Sequence, residues 1–141
     1  KNDAIKSILS AKLLEAQNRG ISISVEIDEP VSNFRIELLD FITVLSVLCD
    51  NAIEATIKAT SPRMTVVFIN NDDSLVLIVE NSINSEKVDV SHIFARGYSS
   101  KGEGRGLGLH NVNSVLEKYP KSTITTRSAN HLFSQTIRFC K

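Results

Sequence analysis

Five of the six glycines in this 141-residue chain, Gly97, Gly102, Gly104, Gly106 and Gly108, fall within twelve residues. Glycine adopts positive φ freely and lets backbone N–H groups approach a ligand closely, at an entropic cost to the fold. A helix is expected from about Gly106 to Lys118, so the glycines lead into a helix start. There the first N–H groups lack partners and the dipole favours an anion. A glycine-rich loop feeding a helix in this way cradles phosphate. Lys101 and Arg105 add positive charge at the same place. The plain alternative is a surface loop with a helix cap, and the glycine density together with two cations weighs against it. The Walker spacing GxxxxGK[ST] is absent, so this is no P-loop.

A second group lies in Leu48-Cys49-Asp50-Asn51-Ala52-Ile53-Glu54-Ala55, three polar residues inside an apolar helical segment. Asn is a mediocre helix former, and a buried one needs partners. Its neutral amide oxygen is a hard ligand suited to Mg²⁺, which keeps waters and bridges phosphates. Asp50 and Glu54 are like charges one turn apart. For them a place at the solvent edge, with Glu54 paired to Lys58, stands level with a role in chemistry. A third polar stretch, Glu80-Asn81-Ser82-Ile83-Asn84, follows an apolar run. Asn81 offers the acceptor and donor that match the hydrogen-bonding edge of adenine, although such a residue by itself is more often part of a turn.

These residues need elements to hold them. Ile5, Ile8, Leu9, Leu13 and Ala16 recur at helical spacing over Asp3 to Gln17, and Gly20 ends that helix. Ile21, Ile23, Val25 and Ile27 alternate with polar residues as a half-buried strand does. The longest helix is expected from Ile36 to about Thr60, closed by Ser61-Pro62. Strands follow at Met64–Ile69 and Leu75–Val79, joined by a turn-rich Asn70-Asn71-Asp72-Asp73. After the glycine loop and its helix, Tyr119-Pro120 stops the helix. Strands at Thr123–Arg127 and Leu132–Phe139 complete the chain. The order predicts an α+β two-layer sandwich with three helices on one face of a mostly antiparallel sheet.

Composition bounds the function. Apolar residues are 42% and charged residues 23%, and 16 cations balance 16 anions for a net charge of +0. That balance argues against a nucleic-acid-binding protein, which needs a basic excess. Cys49 and Cys140 match neither a disulfide framework nor a zinc site, so a reducing, cytoplasmic setting is expected. No stretch approaches the ~18 apolar residues of a membrane span. The sequence opens on Lys1, without an initiator Met, and reads as a piece of a longer protein.

Taken together, Leu48-Cys49-Asp50-Asn51-Ala52, then Ile93-Phe94 with Gly97-Tyr98-Ser99-Ser100-Lys101, then Gly104-Arg105-Gly106-Leu107-Gly108-Leu109 resemble the N, F and G2 boxes of the GHKL ATPase/kinase superfamily. More narrowly the chain is similar to the catalytic and ATP-binding domain of a sensor histidine kinase. The wordings LCDNAIEA and GYSSKGEGRGLGL resemble the peptide-pheromone (quorum-sensing) receptor branch, the AgrC/ComD type. The resemblance implies the Bergerat α/β sandwich, with ATP and Mg²⁺ as cofactors. It makes residues 1–19 the tail of the dimerisation helix that carries the phosphoacceptor and residues 20–141 the catalytic domain. Asn51 becomes the Mg²⁺ ligand, Lys101 a cation near the β/γ-phosphates, and Phe94 the F-box aromatic. Gly104, Arg105, Gly106, Leu107, Gly108 and Leu109 receive the phosphates, while Asn81 and Asn84 sit where the base is bound.

Two departures from the family pattern matter. The G1 box, Asp-x-Gly-x-Gly, is replaced by Asn81-Ser82-Ile83-Asn84, which removes charge assistance to adenine. Weak nucleotide affinity is expected. Four residues before Asn51, where related ATPases carry a Glu and many kinases an Asn, stands Val47. Water attack on the γ-phosphate should then be slow, which favours phosphoryl transfer to a histidine. Asp50 and Glu54 both remain open as groups assisting that transfer. His92, His110 and His131 are poorly placed as acceptors, so the acceptor belongs to another part of the parent. The implied partners are that acceptor helix in a homodimeric, membrane-anchored parent, and a response regulator. The rivals are a sigma-factor-restraining serine kinase of the same superfamily and a non-catalytic nucleotide-binding docking module.

Overall fold

A computed structural model describes residues 3–27, 36–70, 74–84 and 105–140. Its elements are α1 (Asp3–Asn18), β1 (Ser22–Ile27), α2 (Leu38–Thr56), β2 (Arg63–Asn70), β3 (Ser74–Ser82), α3 (Arg105–Leu116), β4 (Ser122–Ala129) and β5 (Leu132–Cys140). The helix α1 ends as its sequence predicts. Gly20 takes φ +81°, its N–H donates to the Gln17 carbonyl at 3.0 Å, and the Ile21 N–H donates to the Ala16 carbonyl at 3.0 Å. That pair of bonds is a Schellman closure, which needs a residue tolerant of the left-handed region.

The five strands form one sheet in the order β1-β2-β3-β5-β4. β1 runs parallel to β2 and every other pair is antiparallel. A parallel neighbour needs a crossover, and α2 supplies it. Asn130 and His131, at φ +56° and +64°, make the tight turn between β4 and β5. Met64, Val66 and Phe68 of β2, Leu75, Leu77 and Val79 of β3, and Ile137 and Phe139 of β5 are buried toward the helices. Against them lie Phe41, Val44, Leu45, Leu48, Ala52 and Ile53 of α2, with Val112, Val115 and Leu116 of α3. Ile5, Leu9 and Ala16 of α1 belong to the same core. This is the α+β sandwich that the element order predicts.

Two boundaries differ from the sequence reading by more than two residues. β3 continues past Val79 to Ser82, because Glu80 and Asn81 still pair with β2, and Ser82 with β5. Asn81 is therefore a strand residue and not a turn residue. α2 stops at Thr56, short of Thr60. The Thr56 hydroxyl donates to the Arg63 carbonyl at 3.1 Å and accepts from the Arg63 N–H at 3.1 Å. The Ala59 N–H closes a tight turn on the Thr56 carbonyl at 2.8 Å.

The opposite end of α2 is latched to the exit of α3. Asp40, 8% exposed, accepts from the Tyr119 hydroxyl at 2.6 Å and from Lys118 Nζ at 3.3 Å. The same hydroxyl accepts the Glu37 N–H at the start of α2, at 3.1 Å. Phe41 packs on Phe68 and Phe139, and Tyr119 meets Phe139 edge-on at 5.9 Å. The Tyr119 hydrogen bond holds the Asp40 carboxyl below its ordinary range, against burial and with help from Lys118. Burial first, then Asp40, raises the Tyr119 phenol.

Tyr119→Phe removes both bonds and should cost about 1.5–3 kcal/mol, a charged hydrogen bond being among them. A lowered carboxyl stabilises above its unfolded pKa and loses that contribution as pH falls through the folded one. Wild type should thus lose melting temperature more steeply than Tyr119→Phe between pH 5 and acid. Thermal unfolding of both proteins across that window checks this.

Candidate functional site

The polar residues of α2 divide between two flanks of the helix. Asp40 and Asn51 are eleven residues apart, three turns at 3.6 residues each, so they share a flank. Asp40 marks that flank as the one facing α3, through Tyr119 and Lys118. Asn51 is half-buried there, with Val47 one turn before it and Ala55 one turn after. Asp50 points about 100° away, toward α1. Its Oδ1 accepts from Lys12 Nζ at 2.5 Å, the lysine side chain 16% exposed and the aspartate 43%. Cys49 lies under this pair, and burial pushes its thiol up to about 12, as expected for an inert core residue.

The strand side of the site is set by a hydroxyl pair. Thr56 Oγ1 and Ser82 Oγ lie 2.7 Å apart in the interior, joining the last turn of α2 to the last residue of β3. Ser82 Oγ also donates to the Ser61 carbonyl at 2.8 Å and accepts the Arg63 N–H at 3.0 Å. Asn81, 2% exposed, precedes it. Alternation with Leu75, Leu77 and Val79 puts Asn81 on the helix-facing side of the sheet. Its Nδ2 donates to the Ser82 carbonyl at 3.1 Å. Asn51 lies five residues back from Thr56, roughly 7–8 Å along the helix axis. Asn51 and Asn81 therefore stand at the same end of the helix–sheet pair.

The helix α3 packs along α2, with its exit anchored beside Asp40. Eleven residues forward from Asp40 is Asn51, and eleven back from Tyr119 is Gly108. The start of α3 is thus carried toward the Asn51 end of α2. Gly106, Leu107, Gly108 and Leu109 fall within α3, as does Arg105 at its first position. The expected helix start near Gly106 agrees with this. Phe94, Lys101 and Gly104 lie outside the described residues.

Asn84 is placed differently from its neighbour Asn81. Its Oδ1 accepts the Thr60 N–H at 2.8 Å and its Nδ2 donates to the Lys58 carbonyl at 3.1 Å. Both ends of that amide hold the α2–β2 connection, which is a structural duty. His131, read from sequence as structural or surface, fastens the same segment. Its Nδ1 meets the Asn84 carbonyl oxygen at 2.8 Å, and its own carbonyl accepts the Ile83 N–H at 2.9 Å. Nothing in the sequence pointed to that pairing across 47 residues. Glu54 is half-buried one turn from Asp50.

Magnesium fits the donors present. Among the described residues no group of three or more His, Cys, Asp and Glu gathers as a metal cage. A single half-buried amide near a helix start is what a cation needs when it keeps waters and takes phosphate oxygens for the rest. A groove of about 500 Å³ lined by Glu26, Ile27, Val67, Phe68 and Ile69 opens at the far ends of β1 and β2, away from all of these residues.

Comparison with known proteins bears on the family and the fold. A family model described as GHKL domain matches residues 36–140. The sensor protein CitS of Bacillus subtilis (strain 168) is 28% identical over 119 residues, 81% of this chain and 22% of CitS. The chain spans about a fifth of that relative's length. The catalytic domain of histidine kinase ThkA superposes with a TM-score of 0.82 at 19% identity, over 99% of this chain and 93% of that one. The mycobacterial sensor histidine kinase MprB gives 0.72 at 16% identity, over 96% and 93%. At these identities the two structures speak for the fold.

Asp50→Ala leaves the enclosed Lys12 charge without its anion. With one partner half-exposed, the loss should lie between surface and buried values, about 1–3 kcal/mol. Lys12→Met in the same chain should restore most of it, since a methionine fills the stem's space without a charge. Denaturant unfolding of the two single variants and the double variant measures the coupling.

Proposed function

The chain belongs to the GHKL domain family, and from that premise we propose that it binds Mg·ATP and passes the γ-phosphate to a histidine on a separate part of its parent protein. What supports this reading is that the Thr56–Ser82 bond joins the end of α2 to the end of β3, so that Asn51 and Asn81 sit on two elements fixed at one point, with α3 packed on α2. Asn51 would hold the magnesium ion, whose chemistry is to draw charge from the phosphate oxygens. Lys101 and Arg105 would add cationic charge, and Gly104, Gly106 and Gly108 would let backbone N–H groups reach the phosphates. Asn81 would accept from the adenine amino group.

With Val47 on the flank of Asn51, one turn before it, that position holds neither carboxylate nor amide to activate water. This supports transfer to a protein acceptor over hydrolysis, by positioning and charge neutralisation. Of the two carboxylates open as assisting groups, Asp50 is turned to Lys12. That favours Glu54.

The parent is proposed to be a homodimeric two-component sensor that delivers the phosphate onward to a response regulator. Its placement in the peptide-pheromone branch rests on the two motif wordings. Residues 1–19 are proposed to continue the acceptor-bearing helix, while their apolar side packs into the catalytic core. No helix among the described residues is long and apolar enough to cross a membrane, so a membrane anchor would belong to other parts of the parent.

Labelling a supplied acceptor-helix segment from γ-labelled ATP tests the kinase reading, and a chain that binds ATP without labelling it is the docking module instead. A second test addresses the metal. Asn51→Ala should keep or slightly raise the unliganded melting temperature, Ala being the better helix former. It should lose the magnesium-dependent part of the ATP-induced shift. At 100 times the dissociation constant that ligand stabilisation is about 2.7 kcal/mol in wild type. An unchanged magnesium response would remove Asn51 as the ligand.

A further inference from the structure

We propose that α1 is a releasable strap on α2, and that its docking and Mg·ATP binding beside Asn51 favour each other through the Lys12–Asp50 ion pair. The coupling rests on the nucleotide-binding reading above, and the strap does not.

α1 joins the sheet through the closed turn at Gly20. Among the described residues, the ion pair that holds it to α2 is Lys12 Nζ to Asp50 Oδ1, at 2.5 Å. Its apolar grip is light. Ile5 and Leu9 are buried, but Ile8 and Leu13 are half-buried and Leu14 is 59% exposed. By contrast Phe41, Val44, Leu45, Leu48 and Ile53 of α2 are all at 1% or less. A helix with few fully buried side chains opens at a lower free energy than the core it lies on. Beneath the ion pair is Cys49, fully buried, its thiol raised to about 12 by that burial. Closed in this way it is inert, and lifting α1 returns it to water and to ordinary reactivity.

The coupling follows from charge. Asp50 and Asn51 are consecutive on α2, so the Asp50 carboxylate lies within a Debye length, ~8 Å, of an ion bound at Asn51. With α1 docked, Lys12 neutralises that carboxylate. With α1 lifted, a bare carboxylate stands beside the proposed metal ligand and repels the Mg·ATP complex, which is anionic overall. The docked state therefore binds Mg·ATP more tightly. By linkage, Mg·ATP then holds α1 down by the same factor. Lys12 is a positioning residue in this scheme, acting on the nucleotide through Asp50.

Alkylation by iodoacetamide, followed by mass spectrometry, reads Cys49 directly, with the exposed Cys140 as the fast reference. Release of the strap predicts a Cys49 rate that rises with denaturant less steeply than global unfolding does. A slope equal to that of global unfolding would overturn the strap. Saturating Mg·ATP should slow Cys49 labelling roughly fivefold and leave Cys140 unchanged. In Lys12→Met that protection should vanish, and Mg·ATP should bind roughly fivefold more weakly. Adding Asp50→Asn to Lys12→Met should bring the affinity back to within about twofold of wild type, because it removes the bare charge. An affinity that stays low in the double variant would mean that α1 only shores up α2, and would overturn the coupling. So would Mg·ATP that binds wild type without slowing the labelling. If Lys12→Met does not fold, the wild-type rates with and without Mg·ATP decide. Binding of no nucleotide would take away the nucleotide reading and the coupling together, while the denaturant slope still judges the strap.

Discussion

The contact on which the site end of the molecule depends is the buried hydroxyl pair of Thr56 and Ser82, 2.7 Å apart. Two hydroxyls withdrawn from water must find partners or cost a few kcal/mol. Here their two protons are shared among one another, the Arg63 carbonyl and the Ser61 carbonyl, and both oxygens accept the Arg63 N–H. In doing so they end α2, start β2 and terminate β3 at one point. Because a helix and a strand are stiff, fixing their ends against each other also fixes the residues just inboard. Asn51 and Asn81 are those residues.

The helix α2 then has to serve several neighbours at once. Its apolar stripe, from Phe41 to Ile53, is sunk against the sheet. Its Asp50 flank is held by α1 through Lys12, and its Asp40 flank by the exit of α3. Asn51 lies on the α3 flank. Two residues adjacent in sequence therefore have separate duties. Asp50 secures α1 to the core and Asn51 faces the proposed metal site. Most of the polar chemistry elsewhere in the domain is latching, which lets the core carry stability while leaving Asn51 and Asn81 oriented.

Much of this was legible in the residues. The apolar periodicities of residues 5–16 and 38–55 and the alternation of residues 21–27 are local signals, and each produced its element. Gly20 was readable as a stop because only the backbone at that position is in question. The ends of α2 and β3 were not readable, because Thr56 and Ser82 are 26 residues apart and neither looks unusual alone. The Lys12–Asp50 pair spans 38 residues and the Tyr119–Asp40 bond spans 79, so local patterning carries no trace of them. Asn84 resembled its neighbour Asn81 in type and in context. Only the fold distinguishes them, by giving one amide two backbone partners and the other a single carbonyl.

The proposed metal–nucleotide complex would sit on the Asn51 flank of α2, between the end of β3 and the start of α3. Manganese replaces magnesium in such complexes and broadens the NMR signals of nearby nuclei. Titrating Mn·ATP into isotopically labelled protein should broaden Asn51 and its side-chain amide first, with Asn81 and the first turn of α3 next. The Asp40–Tyr119 end should stay sharp. Broadening centred on Asp40, Tyr119 and Phe139, or on the groove at Ile27 and Ile69, with Asn51 unaffected, would contradict the account.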